Sequence, residues 1–146
     1  MTKSPKISHH KRRGEWVELQ FMARATGKGF TVSKPWGDSA RYDFVVERGG
    51  VFRRVQVKST MFCVGGASGC SPRAYMCGIR TGDKKGKHGA YRAQDIDFFA
   101  CFVIPLDLWY LIPIAEMSRV RCGALLDSGR PANRYFRFLE AWHLLR

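Results

Sequence analysis

The chain has 146 residues, 45% of them hydrophobic, which suits one domain with a real core. Its 25 Lys+Arg against 12 Asp+Glu give a formal net charge of +13, a balance that points to nucleic acid or an anionic membrane surface as partner. No apolar run approaches the roughly 18 residues of a transmembrane helix, and no secretory h-region follows the basic start, so neither a spanning helix nor export is expected and a cytoplasmic protein is.

Residues 1–13 hold five Lys/Arg and two His with no acid and almost nothing apolar. They predict a flexible basic arm whose Lys11, Arg12 and Arg13 are suited to phosphate contacts. The pattern then predicts a helix over 14–26, with Val17, Phe21 and Ala25 on one stripe and Gly27 placed to end it. Glu18 falls at the edge of that apolar face, an unusual place for a carboxylate because solvent is cheaper. Glu15, a turn earlier, is explained by the helix dipole alone.

A short strand is expected over 29–32 and a turn over 35–38. Two strands follow, 42–47 and 52–58, rich in β-branched and aromatic residues and joined through Gly49-Gly50, a strong hairpin signal. Residues 63–92 are Gly-rich and then basic, with Arg73, Arg80, Lys84, Lys85, Lys87 and Arg92 against the single acid Asp83. Loops around a short strand near 75–79 are expected there. The continuous apolar run 98–104 predicts a buried strand, and 108–112 another, turned back on it through Pro105-Leu106-Asp107. An amphipathic helix over 135–145, with Phe138, Trp142 and Leu145 on one stripe, ends the chain. The order implies one α/β domain over 14–146, with a central mixed sheet flanked by helices. Cys63, Cys70, Cys77, Cys101 and Cys122 are odd in number and match no zinc-ribbon spacing, so reduced structural thiols are expected.

The hairpin carries the chemistry. If Arg48 pairs with Val51, Asp43 lies opposite Gln56 at roughly 5 Å and diagonal to Lys58 at about 7–8 Å. Gln56 and Lys58, two apart, share a face. A carboxylate, an amide oxygen and an ammonium on one patch form a candidate metal and phosphate site. Asp43 and Glu18 can offer Mg²⁺ hard carboxylate oxygens and Gln56 a neutral one, while Lys58 can set a point charge against a scissile phosphate or orient the attacking water.

Gly14-Glu15-Trp16-Val17-Glu18, Tyr42-Asp43-Phe44-Val45-Val46 and Val55-Gln56-Val57-Lys58 together resemble the PD-(D/E)XK nuclease superfamily. More narrowly they resemble its homing endonucleases from bacterial group I introns, which use Gln in the second acidic slot. Asp95-Ile96-Asp97-Phe98-Phe99, after Tyr91, and Asp107-Leu108-Trp109-Tyr110-Leu111-Ile112-Pro113 are similar to that family's second half. The resemblance implies a restriction-endonuclease-like core, with Glu18, Asp43, Gln56 and Lys58 as catalytic residues. It matches Glu18 to the helix carboxylate, with Glu15 as its possible substitute, and Asp43 to the main metal ligand. Gln56 stands in the acid slot and Lys58 matches the catalytic lysine. Tyr42 stands where the motif has Pro, and Gln56 removes one negative charge.

The expected activity is a site-specific endonuclease hydrolysing double-stranded DNA with Mg²⁺ or Mn²⁺. Arg73, Arg80, Lys84, Lys85 and Lys87 would hold the duplex together with the arm. Cutting both strands implies a homodimer or homotetramer, nucleoid-associated when bound. A Holliday-junction-resolvase-like nuclease shares the helix-Glu, Asp, Lys layout. A non-catalytic nucleic-acid-binding module on a nuclease fold is kept open by Gln56.

Overall fold

The structure, a computed structural model, describes residues 5–82, 88–117, 120 and 122–146. Helix α1 spans His10–Gly27 and buries Val17, Phe21 and Ala25, the stripe that the spacing predicted. It begins at His10, so Lys11, Arg12 and Arg13 are helical and not part of a flexible arm. Lys and Arg are good helix formers, and Lys11 and Arg12 stay exposed there, so extending the helix across them needs no core contact. The chain turns at Gly29, whose φ of 85° a side chain would disfavour.

Nine strands follow among the described residues. They are β1 (Thr31–Ser33), β2 (Phe44–Arg48), β3 (Val51–Thr60), β4 (Ala74–Gly78), β5 (Thr81–Gly82), β6 (His88–Gly89), β7 (Phe98–Val103), β8 (Leu108–Pro113) and β9 (Gly123–Asp127). A five-stranded sheet runs β1-β2-β3-β7-β8, beside the two-stranded pairs β4-β9 and β5-β6. The β2–β3 hairpin has the expected register, from Phe44 opposite Val55 to Arg48 opposite Val51. Gly49 and Gly50 both have positive φ, 61° and 79°, as a type I′ turn demands. Pairs β1–β2, β2–β3 and β7–β8 are antiparallel, while β3 and β7 run parallel, so the sheet is mixed.

Strand β7 explains the continuous apolar run, because both of its faces are covered. Phe98, Ala100 and Phe102 pack toward α1, where Phe21 lies 5.3 Å from the Phe44 ring and 5.6 Å from Trp109. Phe99, Cys101 and Val103 point into a second core with Tyr75, Cys77 and Leu126 from β4 and β9. All five cysteines are free thiols, with Cys77 and Cys101 buried in that second core.

Three further points depart from the expected elements. The short strand is Thr31–Ser33, two residues later than its start was expected. The strand Gly123–Asp127, too short to show a period, was not anticipated, and it completes the sheet that β4 begins. The final helix is absent, and two 3₁₀ turns, Phe136–Phe138 and Trp142–Leu145, stand in its place. Between them Leu139 bridges to Tyr110, and the Glu140 N–H donates to the Trp109 carbonyl at 2.7 Å. The edge of β8 has unpaired backbone groups, and it takes the bonds that a helix would have kept internal. Phe138, Trp142 and Leu145 are buried all the same. No helix among the described residues is long and apolar enough to cross a membrane.

A clamp fixes β3 beside β7 at the start of their parallel ladder. Arg54 donates from Nε and Nη2 to the two Asp97 oxygens at 3.2 and 3.0 Å, and its backbone N–H bonds Asp97 Oδ2 at 2.7 Å. The Asp97 N–H returns a bond to the Arg54 carbonyl at 2.9 Å. Burial pushes the Asp97 pKa up, but the Arg54 guanidinium and backbone N–H hold it below the ordinary 3.8. A carboxyl held down stabilises the fold above its unfolded value and loses that contribution as pH falls. Asp97→Ala should therefore cost about 2 kcal/mol at pH 7, the scale of hydrogen bonds to a charged group. Urea unfolding would measure it, and the gap should narrow below about pH 4.

Candidate active site

Asp43 stands one residue before β2, and its backbone N–H still bonds the Val55 carbonyl at 2.9 Å. Here the ladder would lose its partner, because the chain leaves the sheet. The side chain replaces it: Asp43 Oδ2 accepts from the Val57 N–H at 2.7 Å and from Gln56 Nε2 at 2.8 Å. Asp43 and Gln56 thus meet as the hairpin register requires. Asp43 Oδ1 and Gln56 Oε1 accept no hydrogen bond among the described residues, which leaves two hard oxygens for another partner.

Glu18 follows the buried Val17 on α1, at the rim of the core stripe. It lines a cleft of about 240 Å³ with Lys34, Pro35, Tyr42 and Asp43. Glu15 is exposed one turn earlier and does not line that cleft. Burial is the main cause that raises the Asp43 pKa above 3.8, and the Glu18 carboxylate adds to it. The Val57 N–H, Lys58 and Lys34 pull it back without prevailing. A carboxylate that burial holds uncomfortable in its charged form is one that a cation would stabilise.

Val55 and Val57 face the α1 core, so Gln56 and Lys58 project from the other face of β3. The Lys58 ammonium donates to the Arg80 carbonyl at 3.3 Å and lies 5.2 Å from the centre of the Tyr91 ring. That ring meets Phe99 edge-on at 5.2 Å, which ties the lysine's surroundings to β7. Lys58 forms no ion pair among the described residues, so its charge stays available.

Lys34 was missed. Its ammonium bonds the Glu18 carboxylate and sits 4.8 Å from the centre of the Phe44 ring. A lysine before Pro35 reads as a solvated turn residue, and only the pairing of β1 with β2 carries it beside Asp43. Sequence offered no signal for that pairing. The further candidates are spread out. Arg73 Nε bonds Ser128 Oγ at 3.0 Å, across the β4–β9 pair. Arg13 lines a groove of about 440 Å³ with Thr60, Phe62 and Met76 at the far end of β3. Lys84, Lys85 and Lys87 lie outside the described residues.

No three of His, Cys, Asp and Glu converge on a possible metal site among the described residues. Glu18, Asp38 and Asp43 line one cleft and Gln56 bonds Asp43, so the donors gathered around it are carboxylate and amide oxygens. Such a set fits Mg²⁺ or Mn²⁺ and suits soft metals poorly.

A family profile described as PD-(D/E)XK endonuclease matches residues 8–145. Among solved structures, the chain is similar to a bacterial homing endonuclease, I-Ssp6803I, at 28% identity and a TM-score of 0.76, covering 94% of this chain and 93% of that one. No curated protein matches the chain.

Two substitutions at the hairpin should move stability in opposite directions. Because the folded pKa of Asp43 lies above its unfolded value, the folded protein binds that proton more tightly. Ionised Asp43 therefore costs stability as pH rises through the raised value. Asp43→Asn, which keeps the acceptor oxygen, should raise the metal-free Tm at pH 7 by about 2–4 °C, and the gain should vanish near pH 3. Gln56→Glu removes the donor to Asp43 and sets two carboxylates face to face. It should lower the metal-free Tm by a similar amount, about 2–4 °C, with recovery when Mn²⁺ is added. Calorimetric melts with and without chelator measure both.

Proposed function

The chain belongs to the PD-(D/E)XK endonuclease family, and from that premise we propose that it is a Mg²⁺- or Mn²⁺-dependent endonuclease cutting double-stranded DNA at specific sites. The similarity to a bacterial homing endonuclease supports this reading. The observation that carries it is the cleft that Glu18 and Asp43 share at the end of the β2–β3 hairpin, with Lys58 two residues beyond Gln56 on β3.

Hydrolysis forms a bond from a water oxygen to phosphorus and breaks the bond to the leaving oxygen, which takes up a proton. Asp43 and Glu18, with the Gln56 amide oxygen as a neutral third donor, would hold the metal. When bound, that ion supplies positive charge against the phosphate and the developing negative charge of the transition state. Asp43 is oriented by the Val57 N–H and Gln56 Nε2, so its remaining oxygen is aimed without any cost of ordering at the time of reaction. Lys58, steadied by the Arg80 carbonyl and the Tyr91 ring, brings a further charge to the phosphate or holds the attacking water. Gln56 trades charge for orientation, since a third carboxylate would pull the cation harder but could not donate to Asp43.

The surrounding charge, +13 overall, draws the duplex in. Lys11, Arg12 and Arg13 at the start of α1, with Lys84, Lys85 and Lys87, would track phosphates. Arg73 and Arg80 are suited to guanine edges. Two copies of the chain would bring one site to each strand.

Incubation with duplex DNA and Mg²⁺, followed by sequencing of the ends, tests the activity. Asp43→Ala and Lys58→Ala should each lower cleavage by at least about 10²-fold, as loss of preorganised charge does. Binding should stay within a few-fold and remain steeply salt-dependent, since the wider basic surface carries it. Full cleavage by Asp43→Ala would sink the assignment.

A further inference from the structure

Lys34 lines the cleft that Glu18 and Asp43 share, with its ammonium on the Glu18 carboxylate. Strand β1 ends at Ser33, paired with Val45, and the next step of that register sets Lys34 beside Phe44. Pro35 follows at once, and a residue before proline is held in an extended conformation. The ammonium therefore turns over the Phe44 ring, at 4.8 Å from its centre, and onto the Glu18 carboxylate. Its field also reaches Asp43, which lines the same cleft. The Lys34 side chain is 53% exposed and that of Glu18 31%, so the pair can open without disturbing the core.

The charge count is then telling. Three carboxylates, Glu18, Asp38 and Asp43, line the cleft, and Gln56 brings no charge. Lys34 is bonded to Glu18, and its field and that of Lys58 oppose the charge on Asp43, so part of the pull on a divalent cation is already met by the protein's own ammonium groups. A substrate phosphate changes both sides at once. It adds negative charge to the cleft, and it offers the Lys34 ammonium a new partner, which releases Glu18.

We propose that Lys34 is the internal counter-ion of the cation site, surrendering Glu18 to a divalent cation when the phosphate of a bound nucleic acid takes up its ammonium. The inference rests on the metal-dependent reading given above. Lys34 is here a positioning residue that makes cation binding and DNA binding help each other. That coupling is reciprocal, so either ligand must tighten the other by the same factor.

The test uses Ca²⁺ as probe, a hard cation with the same preference for oxygen, and a genomic duplex. Calorimetry gives the Ca²⁺ affinity of the DNA-free protein, and fluorescence anisotropy gives DNA affinity with and without Ca²⁺. DNA-free Lys34→Met should bind Ca²⁺ about fivefold more tightly than the parent chain, the scale of a partly exposed charge pair. The factor by which Ca²⁺ tightens DNA binding should shrink by about as much. Lys34→Arg, which keeps the charge, should behave as the parent does. Unchanged or weaker Ca²⁺ binding in Lys34→Met would overturn the inference. If the parent chain still cleaves with Mg²⁺ in that case, the nuclease reading stands and only the role of Lys34 falls. If the parent neither cleaves nor binds Ca²⁺ better than Asp43→Asn, both fall together.

Discussion

The Arg54–Asp97 clamp is the interaction on which the rest of the molecule depends. It joins β3 and β7 at the first step of their parallel ladder, through two side-chain contacts, a bond from the Arg54 backbone N–H to the Asp97 carboxylate and one backbone–backbone bond. Parallel strands cannot be joined by a tight turn, and here nearly 40 residues separate the end of β3 from the start of β7. Register between them has to be set by something other than the connection. Once Arg54 is locked to Asp97, Val55 falls opposite Phe98 and Lys58 opposite Cys101. Val55 and Val57 then enter one core, while Gln56 and Lys58 emerge on the opposite face. A slip of one residue would exchange the two sets.

Asp43 shows how fold and site share one group. Its carboxylate takes the place of a backbone partner for Val57 where β2 has ended, so the strand keeps its bond and the site gains an oriented acid. The arrangement is costly for the folded chain, because burial opposes the charge. Stability and readiness for a cation are opposed here, as they often are at sites organised for chemistry. Gln56 eases the tension by donating to Asp43 instead of repelling it. Lys34 eases it from the other side, through Glu18.

The second core keeps this face of β3 from being bare. β4 and β9 pair with each other, and Thr60 Oγ1 donates to the Met76 carbonyl, which fastens that layer to the end of the site strand. Backbone from the same region, the Arg80 carbonyl, reaches the Lys58 ammonium. The long basic segment after Lys58 therefore returns to the residue it left behind.

What the sequence determined by itself was local or carried by strong periodicity. The α1 stripe, the hairpin with its register, and the two apolar strands 98–104 and 108–112 were legible. Gly49-Gly50 fixes which residues face each other across a two-residue turn, and this alone set Asp43 against Gln56. The family resemblance followed from the same blocks. Tertiary structure decided the remainder. Phe138, Trp142 and Leu145 have helical spacing, yet the free edge of β8 took Leu139 and Glu140 into its ladder and broke the helix in two. Strand β9 exists because β4 needed a partner, not because Gly123–Asp127 has a period of its own. Lys34 reached the cleft only through the β1–β2 pairing, and Glu18 met Asp43 only because α1 lies across the sheet. Periodicity reports which face of an element is buried. It does not report which edge will capture a neighbouring backbone, or which distant charge will meet another, because those energies arise only after the layers are packed.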